Sequence, residues 1–109
     1  GETMEEIEVE MQYYKNDLKR LKKVDFNPDL VHQLSKSHGA SVEIKDKVSS
    51  GFPQVIIKLS HHNEGQLKEV VKQIVAAYGT PELSSPMFGG GKKKRGNELV
   101  KTAMREIAM

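Results

Sequence analysis

Apolar and polar positions along this chain fall into blocks of different period, and each block predicts an element. In "MEEIEVEMQYYKNDLKRLKKV", residues 4 to 24, the apolar positions Met4, Ile7, Met11, Tyr14, Leu18 and Leu21 lie three, four, three, four and three residues apart. That is the spacing of a heptad seam, narrower than the apolar stripe of a helix resting on a globular core. Residues 1–24 therefore read as a coiled-coil-like helix that pairs with a second chain. With Met4 at the first heptad position, Glu10 and Asp17 flank the seam on one side and Lys15 and Lys22 on the other. A parallel pair then sets Glu10 against Lys15 and Asp17 against Lys22 of the partner, so all ten residues are expected at a homodimer interface. The helix dipole explains acids early and bases late. It does not explain the five-residue offsets, because neighbours on one helix are three or four apart.

Residues 25–79 read as one small α/β unit. Asn27 is a good helix cap, Pro28 suits the first helical position, and Leu30, Val31 and Leu34 form a short apolar stripe that Gly39 can terminate. In "ASVEIKDKV" Val42, Ile44 and Val48 alternate with Glu43, Lys45 and Lys47, and in "QVIIKLS" Val55, Ile57 and Leu59 share a face. Period two predicts strands, and "SSGFP" between them predicts a hairpin. From Asn63, with Gln66 at capping-box spacing, Leu67, Val70, Val71, Ile74, Val75 and Tyr78 recur at helical spacing up to Gly79.

Beyond Gly79 the pattern breaks. "TPELSSPMFGGGKKKRG" combines two prolines, two serines and a glycine triplet, so residues 80–96 read as a flexible basic linker. Residues 97–109 return to an amphipathic helix, with Asn97 as its cap and Leu99, Val100, Ala103, Met104 and Ile107 on one side. Two strands make too small a sheet, and the remaining candidate strand, "TPELSSPMF", is interrupted by its prolines. The open hairpin edges point to a sheet completed across a dimer. The fold class is α+β: a heptad helix, a short helix, a β-hairpin, an amphipathic helix, a linker and a C-terminal helix.

Composition narrows the chemistry. The 109 residues are 37% hydrophobic and contain no Cys, which excludes disulfides, a thiolate nucleophile and thiolate metal sites. No apolar run is long enough to span a bilayer, and the acidic start differs from a basic signal-peptide region, so an intracellular protein, cytoplasmic or nuclear, is expected. The net charge of +2 is too near balance to mark a nucleic-acid binder, but its distribution is uneven. In "GGGKKKRG" the four bases Lys92, Lys93, Lys94 and Arg95 are consecutive, as in a nuclear-import signal. The Walker spacing fails because Asn97 follows Gly96. A run like this neutralises phosphates without reading sequence, and Lys45, Lys47 and Lys58 on the wet face of the hairpin would widen the basic surface. No interleaved aromatic supports base stacking on those strands.

Other constellations are weaker. His61 and His62 are adjacent and point apart, and neither His32 nor His38 stands four residues from another His, so no metal is called for. Asp46, on the inner face of its strand, suits a salt bridge better than a catalytic acid. Ser49, Ser50, Ser84 and Ser85 lie in turn-like segments without a nucleophile elbow. The expectation is a protein with no enzyme activity and no cofactor: a dimeric nucleic-acid-associated adaptor, its DNA or RNA partner held by phosphate contacts. The alternative is a protein-interaction module whose C-terminal helix docks on a partner protein.

Overall fold

The N-terminal segment carries two superimposed periods, and period two prevails. In the computed structural model, which describes residues 6–17, 22–23, 26–49, 51–83 and 90–108, with backbone alone for 16–17, 22–23, 49 and 90–93, Ile7–Tyr14 is a strand, β1. Ile7, Val9, Met11 and Tyr13 point into the core, and Glu8, Glu10, Gln12 and Tyr14 point away from it. Val9 and Tyr13 decide the outcome, because a heptad helix would leave both outside its seam, whereas the strand buries them beside Ile7 and Met11. Full burial of an aliphatic side chain contributes about 1.5–3 kcal/mol, enough to override a helical pattern shared by the same Ile7 and Met11.

The coiled-coil expectation is therefore corrected. Ile7 and Met11 are sealed in the chain's own core, and Tyr14 faces the opposite side of the sheet. Lys15 pairs with Asp46 at 2.8 Å rather than with Glu10, and Glu10 stands in register with Lys58. Asn16–Asp17 (β2) and Lys22–Lys23 (β3) form a short antiparallel ladder in which Asp17 and Lys22 are partners within one chain. Met4, Leu18 and Leu21 lie outside the described residues.

The middle of the chain follows its pattern closely. Helix α1, Pro28–Ser37, starts where the Asn27 side chain accepts a hydrogen bond from the Asp29 amide at 3.0 Å, and Gly39 follows it with φ 73°. Strands β4, Ser41–Ser49, and β5, Phe52–His61, form the hairpin, turning at Gly51 with φ 82°. Helix α2, Glu64–Tyr78, is capped by Asn63, whose side chain accepts from the Gln66 amide at 3.0 Å. His61 joins these caps: its Nδ1 accepts from the Asn63 amide at 2.7 Å, leaving Nε2 as the donor to the His38 carbonyl, also 2.7 Å away.

The missing strands come from within the chain. Strand β1 pairs antiparallel with β5 along its whole length, and Glu82–Leu83 (β6) adds a brief pairing to its other side, giving the order β4-β5-β1-β6. Apart from the small β2–β3 ladder, the connectivity is β-α-β-β-α-β, the split βαβ arrangement, followed by one further helix. The helices pack on one face, where Val31, Leu67, Val70, Ile74, Leu99 and Val100 meet Val9, Met11, Ile57 and Leu59.

The last helix, α3, spans Gly90–Ala108, so residues 90–96 of the expected linker are helical and Asn97 lies inside the helix rather than capping it. Residues 84–89 lie outside the description. Leu99, Val100 and Ala103 are buried as the pattern requires, and they are spent on the chain's own core rather than offered to a partner. Ile107 remains exposed. Its three glycines are poor helix formers, and the like charges of the basic run repel one another along the helix. Packing compensates at Gly96, which is buried against β1 so closely that an added β-carbon would overlap the Glu8 carbonyl oxygen. No side chain but hydrogen allows that approach, because the obstacle is backbone on both sides.

Gly96→Ala should therefore destabilise the fold by about 1–3 kcal/mol, the range for overpacking. Thermal unfolding monitored by circular dichroism measures this. Gly65→Ala in the first turn of α2 meets only ordinary contact with Asn63 and should be neutral or slightly stabilising.

Candidate functional site

With the described helices on one face, the other face of the sheet presents, among the described residues, side chains of alternating parity. Its rows follow from the register. Beginning at the hairpin turn, Phe52 is succeeded by the row Lys47–Gln54–Tyr14, then Lys45–Ile56–Gln12–Glu82, then Glu43–Lys58–Glu10, and finally Ser41–Ser60–Glu8. Chemistry is segregated along the strands: aromatic rings, amides and two lysines occupy the turn end, and carboxylates gather at the far end.

The far end is a groove of about 460 Å³ lined by Glu8, Glu10, Ser41, Glu43, Lys58, Ser60 and Asn97, with parts of Val9, Val42 and Leu59. Three carboxylates surround one ammonium there, so the groove repels phosphate. Lys58 is flanked in register by Glu43 and Glu10, and these carboxylates lower the positive potential around it although it forms no ion pair with a described residue. Two of the expected contacts are engaged: Lys45 reaches Glu43 at 3.2 Å, and Arg95 reaches Glu64 at 3.7 Å. These pairs are exposed, and such pairs contribute little to stability, but they lower the positive potential a polyanion would meet. Lys47 and Lys94 form no ion pair with a described residue. The side chains of Lys92 and Lys93 lie outside the description. Of the expected bases whose side chains are described, Lys45, Lys47 and Lys58 stand on the sheet and Lys94 and Arg95 on α3.

The turn end carries what the sequence reading lacked. Tyr14 is 39% exposed and Phe52 43% exposed, and they lie diagonally across β1 and β5 on the face that bears Lys45 and Lys47. Diagonal neighbours in a sheet are about 7–8 Å apart, within reach for aromatic side chains that share one surface. Between Lys47 and Tyr14 sits Gln54, only 5% exposed, and its side chain meets no hydrogen-bond partner among the described residues. Reading period two through "IEVEMQYY" would have put Tyr14 on this face; the heptad reading hid it.

A rigid layer beneath holds these side chains out. Tyr13, next to Tyr14 but pointing inward, donates from its hydroxyl to the Gly79 carbonyl at 2.8 Å and meets the Tyr78 ring edge-on at 6.0 Å. Phe26 packs on Tyr78 at 5.1 Å, and the Tyr78 hydroxyl accepts from the Asn27 amide at 3.1 Å. The start of α1, the end of α2 and the end of β1 are thereby tied together directly under the aromatic end. At the sheet margin Lys15 bonds to Asp46, and its amide donates to the Pro53 carbonyl at 3.0 Å, so Asp46 has the structural role expected of it.

Among the described residues no group of three or more His, Asp or Glu side chains is arranged to hold a metal ion, and no helix is long and apolar enough to cross a membrane. Comparisons with protein-family models, with curated proteins and with solved structures find no match for this chain. The fold defines a split βαβ domain with an added C-terminal helix and one sheet face that no described helix covers.

Burial first, and then the adjacent Tyr78, push the Tyr13 hydroxyl well above the ordinary tyrosine range near 10. A group raised in the folded state favours folding fully below its unfolded value and loses that contribution as pH climbs above it. Urea unfolding should therefore show constant stability from this residue up to about pH 10 and a decline beyond. Tyr13→Phe should flatten that decline and cost about 0.5–1.5 kcal/mol at neutral pH.

Proposed function

We propose that this chain is a non-enzymatic binding module that holds nucleic acid on the turn end of its uncovered sheet face. The observation that carries the reading is the grouping of exposed Tyr14 and Phe52 with Lys45 and Lys47 on one face, over a base braced by Tyr13 and Tyr78. Bases stack on aromatic rings whatever their identity, and lysines neutralise the phosphates between them. The acidic groove at the other end excludes the backbone from that half, so a strand is confined to a short footprint. The basic run at residues 92–95 adds salt-dependent affinity outside this footprint. Whether the polymer is DNA or RNA depends on contacts to the 2′-hydroxyl.

A second reading, association between copies of this chain, is favoured by the outer edge of β4. No described strand lies beyond it, and its inward-facing Val42 and Ile44 stay only half-buried for that reason. Pairing two β4 strands antiparallel about Ile44 sets Glu43 of each copy opposite Lys45 of the other, completing an extended sheet across a dimer. Light scattering over a concentration series separates the readings: a two-chain mass supports the edge dimer, and a constant one-chain mass leaves nucleic-acid binding alone.

Nucleic-acid binding itself is tested by fluorescence anisotropy with a labelled single-stranded oligonucleotide at several salt concentrations. With about three phosphates neutralised, the logarithm of affinity should fall against the logarithm of salt with a slope near −2. Lys45→Ala with Lys47→Ala should flatten that slope by about 1.4, at about 0.7 for each lost contact. An unchanged slope contradicts the assignment of these two lysines.

A further inference from the structure

Resting on the nucleic-acid reading, we infer that Gln54 is the centre of a nucleobase site and that the ligand class is an unpaired base of a single strand. Four observations meet at this point. Gln54 is on the face that no described helix covers yet is 5% exposed, sunk between Lys47 and Tyr14 in register and between Phe52 and Ile56 along its own strand. Its amide has two donor hydrogens and an acceptor oxygen, and none is satisfied by a described residue. The residue is sunk, but its amide atoms are not among the sealed, partnerless ones, so they reach the surface and can exchange water for a partner from outside. On either side of it, Tyr14 and Phe52 offer the exposed rings that a flat ligand stacks on.

The chemistry that fits is planar, with a donor and an acceptor next to each other on one edge. A glutamine side chain matches such an edge with two hydrogen bonds, as it does with the amino group and ring nitrogen of adenine. The base must be unstacked from its neighbours and free of its pairing partner to lie on a sheet, which selects single strands over duplex. Lys47, in the same row as Gln54, is placed to meet the phosphate next to the bound base. Phosphate is disfavoured two rows further on, where Glu43 and Glu10 flank Lys58, so the site takes one or two bases rather than a long tract.

The test uses the full chain and four single-stranded homo-oligonucleotides, each also offered as duplex, with binding followed by anisotropy. The expected result is at least about ten-fold tighter binding of single strand than of duplex. Tyr14→Ala or Phe52→Ala should each weaken single-strand binding by about 5- to 150-fold, the span that base–aromatic stacking supports, with little change for duplex. Gln54→Leu keeps the volume and removes the amide; it should level the differences among the four homo-oligonucleotides while leaving the salt slope intact. Circular dichroism melts confirm that each variant is folded, and Tyr14 and Phe52 are exposed enough to be replaced without opening the core. Equal binding of duplex and single strand, with no effect of the aromatic substitutions, overturns the base site but leaves phosphate binding standing. Absence of binding to every oligonucleotide overturns both.

Discussion

The pairing of β1 with β5 is the constraint on which everything else in this protein rests. Eight facing residue pairs, from Ile7–His61 to Tyr14–Gln54, bring the N-terminal segment into the centre of the sheet. Without it the β4–β5 hairpin would be an isolated pair of strands, marginal in water. With it, Val9 and Met11 lie beside Leu59 and Ile57 and give the three helices a continuous apolar floor. The same pairing fixes which side chains face outward, because a one-residue slip would exchange the two faces of the strand. Tyr13 inside and Tyr14 outside are two consequences of one register.

That register also divides the outer face electrically. Glu43, Lys58 and Glu10 fall into one row, and Lys47, Gln54 and Tyr14 into another, although β1 is distant in sequence from the β4–β5 hairpin. Lysines that look equivalent in the chain are therefore different in the fold. Lys58 has a carboxylate on each side in register, Lys45 leans to Glu43, and Lys47 stands in the row of an amide and a ring. Fold alone does not assign a function to such a surface. The proposed role follows from the chemistry of Tyr14, Phe52, Lys47 and the Gln54 amide at the turn end.

Much of this architecture was legible in the chain, because its signals are local. Asn27 with Pro28, Asn63 with Gln66, and Gly39, Gly51 and Gly79 each announce a cap or turn through the chemistry of one or two residues, and each one behaves accordingly. The strand β1 was illegible for a definite reason: Ile7 and Met11 satisfy periods of two and of three to four alike, and only long-range pairing with β5 chooses between them. Gly96 was misread for the same kind of reason. Inside "GGGKKKRG" it looks like hinge material, and only the proximity of the Glu8 carbonyl turns it into a packing residue. The candidate site inherits this blindness, since Tyr14, Phe52 and Gln54 become neighbours only once β1 is a strand.

The decisive measurement is therefore a nuclear Overhauser spectrum of the isotopically labelled chain, read along residues 7–14. The account predicts cross-strand α-proton contacts at alternate facing pairs of β1 and β5, such as Val9–Leu59 or Met11–Ile57, with slowly exchanging amides along the strand. Sequential amide–amide contacts and contacts between residues three apart over 7–14 would mean a helix. The sheet, its rows and the base site built on them would then be contradicted together.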